Sequence, residues 1–341
     1  MTLTEAAKIT KKVLLFSSIF IVVSLTIWLS YRFYYYNIYL PNLPPVEILP
    51  DYKFGPLSPP ALPESSVSSS NFSYSLDTET GNLPTNIPKL MKVYLSTPLS
   101  VNLRSSSAAK ELAENLGFPL GPEVINPTLH KFNDELGSEI TINLENGNFS
   151  FFRNLANTLD IPRLETLATR EKIIENFKGF LNEKGLLNES LRTGRGEVIY
   201  GGQNIADSES AIVTVWPKDL DQYVIVTPQF STGLIKASVS KYSEEKYIYL
   251  NFDFTFWPID ENEGGFGTYP VKAVTEAFEE LKGGEGVVVI DPQTPNVSLR
   301  KIYLAYLVSF EYLPYIQPIY VFEGENYVGY VGAIRKDSLA R

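Results

Sequence analysis

Histidine, cysteine and carboxylate side chains set the limits on what this 341-residue chain can catalyse, and they set them tightly. His130 is the single histidine, so any Ser-His-Asp relay or imidazole metal site would have to use it. It stands in NPTLHKFND, which reads as a loop or helix start, and no G-x-S-x-G nucleophile elbow occurs anywhere. A surface or turn histidine is expected. The absence of cysteine removes thiolate zinc, iron–sulfur clusters, disulfides and thiol nucleophiles together. FWPIDENEGGFG brings Asp260, Glu261 and Glu263 close in sequence, but a calcium loop opening at Asp260 needs a glutamate in its twelfth position, where Val271 stands. That stretch reads as a solvated acidic loop. No metal, cofactor or catalytic residue is therefore expected. A carboxylate-dependent envelope hydrolase remains as an enzymatic alternative, because glycoside hydrolysis needs only two carboxyl groups about 5 to 9.5 Å apart, a distance no sequence displays.

One carboxylate stands out by its setting. Asp253 lies inside KYIYLNFDFTFWP, and strict strand alternation places Tyr247, Tyr249, Asn251, Asp253, Thr255 and Trp257 on one face. Ile248, Leu250, Phe252, Phe254 and Phe256 then form the core face. Rings interleaved with short polar groups can stack on and hydrogen-bond a sugar or a peptide, or meet another domain. Tyr247, Tyr249, Asn251, Asp253 and Trp257 are thus the candidate ligand-binding set, for wall glycan, a peptide or a small ligand. The plainer alternative is an exposed sheet face on which Tyr and Trp are simply good strand formers.

The elements that would position this strand follow a rhythm of one helix and then several strands. SSSAAKELAENLGF carries Ala109, Leu112, Ala113 and Leu116 at helical spacing with Gly117 as a stop, and ITINLENGNFSFF alternates on both sides of Asn146-Gly147, a pair suited to a type I′ hairpin turn. TREKIIENFKGFLNEKG repeats the helical pattern with Ile173, Ile174, Phe177 and Leu181, capped by Thr169 and ended by Gly185. YPVKAVTEAFEELKGG does so again with Val274, Ala277, Phe278 and Leu281. The class is α+β. Three helix-on-antiparallel-sheet units are expected, at residues 92–168, 169–268 and 269–341.

The N-terminus carries a different signal. From Val13 to Ser30 no charge interrupts a run rich in Val, Ile, Leu and Phe, about 27 Å of helix against a hydrocarbon core of about 30 Å. Tyr31, Phe33, Tyr34, Tyr35 and Tyr36 follow where a cleavage site would want small residues, so the segment reads as an uncut anchor with an interfacial aromatic belt. Lys8, Lys11 and Lys12 against a lone Arg32 put residues 1–12 in the cytoplasm as a short tail, residues 13–36 across a cell membrane as a single pass, and the remainder outside. Eight prolines within residues 41–63, followed by SSVSSSNFSYS, predict a Pro- and Ser-rich stalk over residues 37–91. The formal net charge is −10, and the part beyond the anchor is more acidic still, since the tail and anchor hold four basic residues and only Glu5. Phosphate backbones are repelled by such a surface, so no nucleic acid is expected as a partner; membrane lipid is, through the anchor.

YPVKAVTEAFEELKGGEGVVVI followed by VSLRKIYLAYLVSFEYLPYIQPIYVFEGENYVGYVGAI, residues 269–334, resembles the C-terminal half of YycH/YycI-type two-component regulatory proteins and, more loosely, PepSY-like domains. The resemblance implies an N-terminal membrane anchor, helix-on-sheet units outside a bacterial cell, and binding or regulation of an envelope protein partner without catalysis.

Overall fold

The computed structural model describes residues 3–39, 49–97, 100–102, 104–155 and 160–340, residues 3–13 as backbone alone. It divides into two compact units, one up to Leu49 and the other from Pro50 onward.

In the first unit, α1 (Leu3–Tyr34) runs into a single π-helical turn at Tyr35–Tyr39. From Leu14 to Tyr34 every side chain is exposed, and the 26 residues from Leu14 to Tyr39 are long and apolar enough to cross a membrane. A helix apolar on every side has no amphipathic face to lay on a protein core. Arg32 lies over the Trp28 and Tyr36 rings at 5.4 and 5.7 Å, a stacked arrangement suited to a headgroup boundary.

In the second unit the elements in chain order are β1 (Ser73–Leu76), β2 (Leu90–Ser96), α2 (Ser105–Asn115), β3 (Leu120–Asn126), β4 (Leu129–Asn133), β5 (Glu139–Asn143) and β6 (Phe149–Phe152). Then come α3 (Arg170–Glu183), α4 (Glu189–Thr193), β7 (Gly196–Tyr200), β8 (Ser210–Val215), β9 (Ile225–Val226), β10 (Ile235–Ser240), α5 (Glu245–Ile248) and β11 (Tyr249–Phe254). The chain closes with β12 (Ile259–Asp260), β13 (Phe266–Pro270), α6 (Val274–Gly283), β14 (Val287–Ile290), β15 (Asn296–Leu307), β16 (Tyr315–Gly324) and β17 (Tyr327–Gly332). The α+β class holds.

The three expected units are instead two sheets. The first sheet has the order β3-β4-β5-β6-β11-β10-β8-β7 and is antiparallel throughout, so strands from both expected units, 92–168 and 169–268, share one ladder. One face carries α2 and α3 together: Ala109, Ala113 and Leu116 from one helix and Ile173, Phe177 and Leu181 from the other bury against Phe132, Ile140, Phe151, Val213 and Phe252. Helical spacing gave both stripes correctly but could not reveal that the two helices cover the same sheet, because periodicity is local and strand pairing is not.

The second sheet runs β1-β15-β16-β17-β14, with β2, β9, β12 and β13 added. Here α6 buries Val274, Ala277 and Leu281 beside Leu299, Leu304, Tyr320 and Phe322. Alternate residues of β15 enter a second cluster, where Ala305 and Leu307 meet Ile319, Val321 and Tyr330. This sheet is mixed, since β1 and β9 both pair with β15 in parallel.

The stalk expected over residues 37–91 is corrected from Pro50 onward; residues 40–48 of it lie outside the described residues. Leu57 is fully buried with Val93, Tyr269 and Ile334, and Leu62 packs against the β15–β17 cluster. The Leu57 amide donates to Ser338 O at 3.0 Å, and the Leu57 carbonyl accepts from the Ala340 amide at 2.7 Å. Phe72, Tyr74, Leu76, Leu83 and Ile87 join the α6 core. A run of prolines disfavours a helix or a central strand, but it does not stop apolar residues between prolines from burying themselves once a sheet is there to receive them. Composition alone therefore misread a strap as a spacer.

The two sheets meet through Trp216, Leu234 and Trp257. Each lies just beyond an end of β8, β10 or β11, and each is buried in the α6 cluster of the second sheet.

Candidate binding cleft

The strand predicted to carry the ligand face is broken in two. Tyr247 and Ile248 close the single-turn helix α5, and β11 begins only at Tyr249. Within β11, Phe252 pairs with Ala237 while Tyr249 pairs with Val239, so three residues advance on one strand for two on the other. That bulge reverses the side-chain parity. Tyr249 consequently faces the first core, 4.8 Å from the Phe180 ring and 5.3 Å from Phe177, and burial pushes its phenol up. Tyr247 is buried as well. Trp257 lies in the other core, its Nε1 donating to Ser309 O at 2.9 Å. Only Asn251 and Asp253 stay on the helix-free face, where Asp253 sits 3.8 Å from the Lys236 ammonium. The predicted aromatic face is thus no single surface.

Two further expectations change. His130 is in β4 and buried, with Nδ1 lacking a hydrogen-bond partner among the described residues, rather than on a surface turn. Its alternation with Phe132 was the signal for a strand. The Asn146-Gly147 hairpin has positive φ only at Gly147 (+74°), because the connection between β5 and β6 is longer than a two-residue turn.

A concavity lies where the first sheet meets the second. It is a cleft of about 900 Å³ lined by Glu197 and Ile199 of β7, by Lys301 to Leu304 of β15, by Glu323 of β16, and by the connections holding Asn86, Gln222 and Ser231. The local backbone explains one rim. Asp221 and Gln222 both have positive φ (48° and 72°) in a tight turn closed by the Leu220–Tyr223 bridge. Non-glycine residues hold that conformation at a cost. Here the Asp221 carboxylate is anchored by Lys92 Nζ at 3.0 Å and by Tyr94 Oη at 2.7 Å. The turn in this way presents Gln222 and Tyr223 to the cleft.

Charges in the cleft balance. Arg195 stacks over Trp216 at 4.3 Å, donates from Nη2 to Ile225 O at 3.0 Å, and lies 3.8 Å from Glu197. Lys301 approaches Glu323 at 3.7 Å, and the Tyr303 hydroxyl donates to Glu323 at 3.3 Å. Burial, reinforced by Glu323, raises the Tyr303 phenol. Between these pairs the lining is apolar: Ile87, Val226, Phe230, Ile302 and Leu304. Among the described residues no group of three or more His, Cys, Asp or Glu is placed to hold a metal ion. The arrangement can bind and orient a ligand, with charged pairs at hand to set its register.

None of the cleft residues was singled out from the sequence. They come from six separate stretches between Pro84 and Glu323, and no local pattern joins them. Arg195, flanked by Gly194 and Gly196 at the start of a strand, was the nearest thing to a signal.

No protein-family model matches the chain, and no curated protein matches it. Nine solved chains match. One of these similar structures is an uncharacterised protein from Eubacterium rectale, 13% identical, covering 71% of this chain and 82% of its own, with a TM-score of 0.38. Likeness of that degree supports no assignment.

Proposed function

We propose that this is a single-pass membrane protein whose folded region lies outside the cytoplasm and binds a protein partner of the cell envelope through the cleft between the two sheets, without catalysis of its own. The observation that carries the reading is the cleft itself, about 900 Å³ of largely apolar lining with two cation–carboxylate pairs and a stretch of β15 that has no strand on one edge among the described residues. Concave, mainly apolar sites with a few polar groups are where proteins take ligands. The apolar span Leu14–Tyr39 supports anchorage, and the lysines that precede that span support a cytoplasmic N-terminus. The resemblance of residues 269–334 to YycH/YycI-type regulators points to the same role.

Photo-crosslinking tests this in intact cells. A photoreactive residue at Asn86 or Ser231, both exposed on the cleft rim, should trap one protein of the membrane or wall fraction. The same residue at exposed Glu279 on α6 should not. Equal trapping from both positions, or none from the rim, would remove the cleft from the account.

A further inference from the structure

Resting on the proposed reading of the cleft, we infer that its ligand is an extended protein segment that binds by adding a strand to the free edge of β15. The ladder on that edge is incomplete. β1 pairs in parallel with residues 296–299, and β9 pairs in parallel with Tyr306 and Leu307. Residues 300–305 between them have β16 on one side and no strand on the other among the described residues.

The direction of the backbone groups follows from the neighbouring bonds. The Tyr306 amide donates to Val224 O at 2.9 Å and the Val308 amide to Val226 O at 3.0 Å, so even-numbered residues here turn their peptide groups to the β9 edge. Pairing with β16 is regular from Ile302 to Leu307. Ile302 and Leu304 therefore direct an N–H and a C=O each into the cleft, and neither meets a backbone partner there among the described residues. Backbone groups left unpaired in a largely buried place are costly, which makes this a standing demand for a hydrogen-bonding guest.

The spacing specifies that guest. Ile302 and Leu304 present donor and acceptor pairs about 6.6 Å apart, the two-residue repeat of a β-strand. The gap accepts about five or six residues in an extended conformation, roughly 20 Å. Alternate guest side chains would lie beside Ile302 and Leu304 on one face and beside Tyr303 on the other, so apolar residues are favoured at every second position. The two cations, Arg195 and Lys301, are matched by Glu197 and Glu323, which favours a segment without net charge over an anionic polymer. Flanking by β1 and β9, with Pro84 to Pro88 on the cleft lining, leaves this edge accessible to one threaded chain rather than to open-ended stacking.

The test uses full-length protein in lipid nanodiscs and a phage-displayed library of random heptapeptides. Selected peptides should bind the native chain and lose at least tenfold in affinity against Ser231→Trp or Asn86→Trp, exposed rim positions where the ring fills the cleft and Tm should hold. N-methylation of every second peptide amide should weaken binding at least tenfold, and methylation of the intervening amides less than threefold. If all N-methylated forms bind alike while Ser231→Trp still abolishes binding, strand addition is wrong and the cleft remains the site. If no peptide is selected, or selected peptides ignore both tryptophans, strand addition is wrong and the cleft loses its support as well.

Discussion

Arg153 shows most directly how single residues hold this molecule together. It follows β6, is buried, and lies 4.0 Å from the Phe118 ring while its guanidinium donates to Leu116 O and, at 3.5 Å, to Gly117 O. It therefore satisfies the orphan carbonyls at the end of α2. Burial lowers its pKa to about 10, and Asp134, 3.9 Å away, works against that fall. Arg153→Ala would leave those carbonyls and Asp134 short of a partner, and we expect a loss of about 3 to 5 kcal/mol in denaturant unfolding. For Asp134, burial pushes the carboxyl up, but Lys246 at 2.9 Å and the Ser138 and Leu136 amides outweigh it and hold the group below its ordinary value. A depressed folded pKa stabilises fully above the unfolded value, about 3.9, and that stabilisation disappears as pH falls through the lower folded value. The decline in Tm from pH 5 to pH 2 should therefore be shallower in Asp134→Asn, which will also be less stable at pH 7. Equal slopes in the two proteins would show that Asp134 does not supply the acid sensitivity.

At the scale of elements, periodicity read the helices and misread two extended segments. Phe177 on α3 has the right spacing and is fully buried, and Gly284, at φ +90°, ends α6 with a left-handed residue as GG after the stripe foretells. Gly284→Ala should cost about 1 to 2 kcal/mol for that reason. The strand around Asp253 failed because one bulge turns Tyr249 inward, and no residue in KYIYLNFDFTFWP announces it. Residues 50–91 failed because proline content measures which ladders a segment cannot join, not whether its leucines find a core. Leu57→Ala distinguishes strap from spacer: burial predicts a loss of about 2 to 5 kcal/mol, whereas a freely extended stalk would lose nothing measurable.

For the molecule as a whole, the charge asymmetry about α1 predicts a definite sidedness. The chain has no cysteine, so single replacements report without background. A membrane-impermeant maleimide applied to intact cells should label Glu279→Cys and spare Glu5→Cys until the membrane is opened. Labelling in the opposite order would invert the topology, and a mature chain lacking α1 would make the helix a leader rather than an anchor. The folded region is built so that the ends of three strands of one sheet, through Trp216, Leu234 and Trp257, enter the core of the other. Arg195, stacked on Trp216, then stands at the mouth of the cleft as a direct result of that joint.

The sequence by itself determined the apolar N-terminal helix, the stripes of α2, α3 and α6, the α+β class, the single histidine and the lack of cysteine, because each depends on composition or on spacing within a few turns of chain. Tertiary structure alone decided that three apparent units are two sheets, that a proline-rich segment is a strap, and that a cleft runs along one edge of β15. Those depend on which distant strands pair and in what register, and hydrogen bonds between residues hundreds of positions apart leave no periodic trace in either partner.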